Sequence, residues 1–111
     1  MINGEFHFGA LDRGGFHAGV FSARNQAERA ACYVAYVESF LRHPRYVGTH
    51  WFQWRDQALT GRIAGAENYQ CGFLTVTDQP YPELVEAVRK IGATMYATRT
   101  RFSTNRKTAA P

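Results

Sequence analysis

The sequence predicts an α/β chain made of two consecutive strand–helix units of a (β/α)8 barrel, an incomplete barrel. Two observations predict it. Segments alternate strand, helix, strand, helix, and the connections are long after the strands but short after the first helix. Loops lengthened at the C-terminal ends of strands build the active-site rim in such barrels. The second strand, "YVGTHWFQW" (46–54), is also apolar or aromatic at nearly every position, as suits a parallel sheet covered by helices. A complete barrel takes about 250 residues and eight strand–helix units, so this chain supplies two of the eight.

The first strand is expected over residues 2–8, with Glu5 and His7 on one face and Phe6 and Phe8 on the other. A glycine-rich loop follows over 9–24. Asn25 and Glu28 stand at capping-box spacing, ahead of an apolar stripe of Ala30, Tyr33, Val34, Val37, Phe40 and Leu41. Pro44 stops that helix. After the second strand comes a long loop over 55–80, with a short strand expected at "CGFLTV" (71–76). The last helix should start near Pro82, repeat Leu84, Val88, Ile91 and Met95 on one face, and fray after Tyr96. The organisation expected is a folded body over 1–98 and a basic, disordered tail over 99–111.

Charge excludes one class of function. The net charge is +4, yet residues 1–98 hold nine Lys/Arg against nine Asp/Glu, so the excess lies in Arg99, Arg101, Arg106 and Lys107. A neutral body with a short basic tail offers no basic face for nucleic acid. No apolar run approaches the roughly 20 residues that cross a bilayer, so no membrane partner is expected. "MINGEFHF" lacks the basic start and apolar stretch of a signal peptide. Cys32 and Cys71 are too few for a disulfide scaffold and leave the compartment open.

Among candidate chemical groups, Glu5 sits late in its strand, flanked by aromatics and glycines in "GEFHFGA". A surface carboxylate is the commoner lot of any glutamate, but this setting suits approach to a ligand. His7 shares its face and could orient it, or could simply be a core histidine. The scattered histidines have no tight ligand spacing, so no metal is expected. Trp51, Phe52 and Trp54 crowd the second strand's exit. Core packing is the bland reading, strongest for Phe52; indoles beside Gln53, Asp56 and the "ENYQ" loop (67–70) also suit a sugar-binding cleft. Asp12 and Arg13 read as a surface pair.

"GEFHFGALDRG", "NQAERAACYVAYVESFLRHPRYVGTHWFQWRDQ" and "PYPELVEAVRKIG" together resemble the C-terminal end of family 50 glycoside hydrolases, from about Gly4 to Tyr96. These are β-agarases within a clan of retaining (β/α)8-barrel glycosidases. The resemblance implies that the two units are barrel strands seven and eight with their helices. It implies Glu5 as catalytic nucleophile and Trp51 as floor of the attacked sugar's subsite, followed by a cis peptide bond. His7, Gln53, Trp54 and Asn68 are the further substrate-binding candidates, and no cofactor is implied. The partners implied are an agar or galactan polysaccharide and the missing barrel segments, in a secreted or periplasmic parent enzyme. The clan's acid/base glutamate, on strand four after an asparagine, has no counterpart here, so this chain alone is expected to be inactive. The rival reading is a non-catalytic carbohydrate-binding or interaction module.

Overall fold

A computed structural model describes the backbone of residues 1–107 and the side chains of residues 1–103. Strand β1 (Ile2–Phe6) and strand β2 (Gly48–Trp51) form a two-stranded parallel sheet. Helix α1 (Gln26–Arg42) connects them, and helix α2 (Pro82–Lys107) follows β2. The alternating order and the parallel pairing are those expected. Pairing runs Ile2 to Gly48 and Asn3 to Thr49, slips at Gly4, and resumes with Glu5 to His50 and Phe6 to Trp51.

Alternation in β1 turns Phe6 toward α1, where its ring lies 4.5 Å from Tyr36 and 5.8 Å from Tyr33. Trp51, its neighbour across the sheet, joins the same cluster at 5.3 Å and stacks on Phe73 at 5.3 Å. Helix α1 starts as its spacing predicts: Asn25 Oδ1 accepts the Glu28 N–H at 2.9 Å. Glu28 reaches back to the Arg24 N–H at 2.6 Å. Pro44 follows the C-cap residue His43, whose N–H bonds Phe40 O. Leu84 and Ile91 of α2 are buried. Val88, Ile91 and Met95 share an apolar hollow of about 500 Å³ with Tyr33, Val37 and Phe40 of α1.

Two expectations about elements need correction. No strand forms over 71–76; Leu74 makes only single bridges, to Arg55 and Pro80. Segment 71–74 lies alongside 53–56 through a few backbone bonds, among them Gln53 N–H to Cys71 O and Asp56 N–H to Leu74 O, without extending into a ladder. The approach is close enough that a Cβ at Gly72 would lie 2.3 Å from Asp56 N. Helix α2 does not fray after Tyr96 but continues to Lys107. Arg99, counted with the basic tail, donates to Leu41, His43 and Pro44 carbonyls at the C-terminus of α1. The remainder of the expected tail, residues 108–111, lies outside the described residues.

Candidate active site

Glu5 projects from the sheet face opposite Phe6 and Trp51, and it is exposed. It lines a cleft of about 190 Å³ at the end of β1, together with Phe6, His7, Phe8, Val20, Phe21 and Tyr36 of α1. Glu5 is chemically unlike the chain's other acids. Asp12 accepts from Gln26, and Asp56 from Tyr81 and Gly72. Glu67 accepts from Arg62 and Gln57. Glu28, Glu38, Asp78, Glu83 and Glu86 are each ion-paired to an arginine or lysine. Among the described residues, Glu5 alone of these carboxylates has neither a hydrogen bond nor an ion pair.

His7 lies just past the end of β1 and is buried. Its Nε2 accepts the Val20 N–H at 3.0 Å, which leaves the ring's proton on Nδ1. Burial lowers its pKa below the usual 6.5; the Arg29 charge adds to this, while Glu5 and Glu67 pull the other way. The loop over 9–24 closes on this ring because Gly19, at φ +84°, has no side chain to strike it. Phe52 lies 6.1 Å from His7 and Tyr69 lies 5.9 Å from it; His17 in turn is 4.9 Å from Tyr69. Tyr69 is fixed by its backbone, which exchanges bonds with Gln57: its N–H donates to the side chain and its carbonyl accepts from the main chain.

The sequence-predicted residues divide accordingly. Glu5 and His7 share one neighbourhood. Trp51 packs with Phe6 and Tyr33 on the α1 side of the sheet, at 5.3 Å and 5.4 Å. The expected cis bond is displaced by one residue, to Phe52–Gln53. Gln53 folds back to bond Arg55 O at 2.8 Å. Trp54 is 70% exposed, with its edge against Phe73. Asn68 bonds Leu59 O and lines a separate small cavity with Gln57, Tyr69 and Tyr81.

Phe52, Tyr69 and His17 were not singled out from the sequence as site residues. Phe52 read as core, and "ENYQ" offered no signal that Tyr69 rather than Asn68 faces His7. Among the described residues, no group of three His, Cys, Asp or Glu side chains could hold a metal ion.

Comparison with known proteins gives this arrangement a lineage. No family model matches the chain. Beta-agarase B of Vibrio sp. (strain JT0107) is 48% identical over 98 residues, which is 88% of this chain and 10% of that protein. Beta-agarase A of the same strain matches to the same extent. The solved structure of an exo-beta-agarase superposes with a TM-score of 0.86 at 47% identity, covering 88% of this chain and 13% of that one. PfGH50B does so with a TM-score of 0.86 at 46% identity, covering 88% and 14%. A chain matched at 46–48% identity over 88% of its length belongs with the glycoside hydrolases. Within them the chain belongs to family 50, the β-agarases, and it spans about a tenth of the length of the curated relatives it matches.

Proposed function

We propose that this chain supplies the nucleophile-bearing part of a β-agarase active site, corresponding to strands seven and eight of a (β/α)8 barrel, and acts on agar-type galactan. The observation that carries the proposal is the isolation of Glu5. A carboxylate with no internal partner, beside an aromatic-walled cleft at a strand's exit, is available to attack a sugar's anomeric carbon.

In a retaining mechanism Glu5 forms the glycosyl ester while a second carboxylic acid, about 5–5.5 Å away, protonates the leaving oxygen. That second group then takes a proton from water, which displaces Glu5. Asp12, Asp56, Glu67 and Asp78 are held by partners of their own, so the acid/base belongs to polypeptide beyond these 111 residues. His7, Phe52 and Tyr69 form the adjoining sugar-binding wall, and Trp54 offers an open indole at the rim. Pyranose C–H faces stack on such rings while hydroxyls take polar groups.

Two assays test this. The purified 111-residue chain should release no reducing ends from agarose. A chimaera of the Vibrio β-agarase carrying this chain's 98 matched residues should release them. Hydrolysis by the chain alone would place both carboxylates within it and overturn the mechanism. An exposed Trp54 favours the carbohydrate-binding reading as second choice. A chimaera that binds agarose without cleaving it would support that reading instead.

A further inference from the structure

His7 and Tyr69 meet ring to ring in the candidate site, and each is one residue from a carbonyl held by the same buried guanidinium. Arg29, in the first turns of α1, is fully buried. Its Nε donates to Phe8 O at 2.5 Å; its Nη2 donates to Gly72 O at 2.8 Å and, more weakly, to Gln70 O at 3.5 Å. Its Nη1 donates to Gln26 Oε1 at 3.1 Å. Gln26 extends the link, donating to Ala10 O and to Gln70 Oε1, both at 2.9 Å. Gln70 completes it by donating to Gly14 O at 2.9 Å.

We infer that Arg29 is a positioning residue, which sets the spacing of the loops after β1 and β2 and so holds Tyr69 against His7. This rests on the reading of the His7–Tyr69 wall as a sugar site. The guanidinium lies over Tyr81 at 4.9 Å and Trp51 at 5.7 Å; among the described residues no carboxylate is in ion-pair contact with it, Asp56 and Asp12 acting on it only from a distance. Burying a cation without a contacting anion is a costly way to gain stability, and a packed apolar side chain commonly does as well. What an apolar group lacks is a rigid, planar set of donors fixing several carbonyls at once. A lysine keeps the charge and loses that plane. Arg29 acts through the two loops and touches no substrate.

The test uses the full 111-residue chain and the variants Arg29→Lys and Arg29→Met. NMR contacts between the His7 and Tyr69 rings report the spacing, and titration with agarose oligosaccharides reports the site. Arg29→Lys should stay cooperatively folded, lose the ring contacts, and bind about tenfold or more weakly, since the wall is no longer preorganised. Ile91→Val, a core change far from the loops, should leave both readouts unchanged. Ring contacts that persist in Arg29→Lys overturn the inference. If the parent chain binds no saccharide but Arg29→Lys loses the contacts, the positioning role stands and the agarase reading of the wall fails. Should neither variant fold, hydrogen exchange of the unaltered chain decides. The Val20 and Gln70 amides, one from each loop, should then open together and before the buried Ile91 amide in the middle of α2. Independent opening would end the proposal.

Discussion

A Cβ atom placed on Gly19 would fall 2.1 Å from Nε2 of His7, the nitrogen that accepts the Val20 N–H. Loop and ring are therefore in contact through a glycine that also holds φ +84°. Gly19→Ala meets two penalties, about 1 kcal/mol or more for the left-handed backbone and about 1–3 kcal/mol for overpacking. We expect a lowered urea midpoint corresponding to about 2–4 kcal/mol. Gly4→Ala, where nothing lies within 4 Å, should move it far less. Equal midpoints for the two variants would contradict the packing described.

Acid should weaken the fold through His7. Its folded-state pKa is lowered below 6.5, mainly by burial, so the unfolded chain takes up this proton first as pH falls. Stability is intact above about pH 6.5 and is lost as pH drops from there toward the folded-state value. Protonated Nε2 also ceases to accept from Val20. Asp56 has the opposite sign in a lower window: burial raises its pKa above 3.8, so its contribution grows as pH falls toward that value. Urea midpoints between about pH 7 and 5 should decline in the parent chain and flatten in His7→Gln. A parent profile as flat as the variant's would exclude the assignment.

The two cysteines should differ in reactivity. Cys71 is fully buried, and burial, helped by the Asp56 charge, pushes its thiol up to about 11. Cys32 is only half-buried. A thiol-alkylating reagent at neutral pH should label Cys32 in the native chain and reach Cys71 only on unfolding. Native labelling of Cys71 at the Cys32 rate would show that the 69–73 loop is open.

One substitution should stabilise. Gly92 is exposed within α2, and a Cβ there meets nothing within 4 Å. Gly92→Ala should add about 0.5–1 kcal/mol by removing backbone freedom from the unfolded chain. Thermal unfolding that falls instead would mean that α2 is not continuous through residue 92.

Local signals were enough to foresee β1, α1, β2 and the start of α2. Asn25 and Glu28 cap within one turn, Pro82 opens a helix by its own geometry, and alternation places Glu5 opposite Phe6. What the sequence could not convey depends on contacts between distant segments. The face taken by Trp51 follows from the β1–β2 register, which no residue spacing records. The course of α2 beyond Tyr96 coincides with Arg99 reaching carbonyls at the end of α1, on a segment whose charges read as solvated tail. Nothing in the local sequence marks Arg29 for burial. Its burial depends on carbonyls of Gln70 and Gly72, more than 40 positions away.

The most direct measurement is the agarose hydrolysis rate of the Vibrio β-agarase chimaera with and without Glu5→Gln. That change keeps the side chain's size and removes its charge. The account predicts a rate lower by roughly three orders of magnitude or more, with an unchanged unfolding temperature. A Glu5→Gln chimaera that retains most of its rate would contradict it.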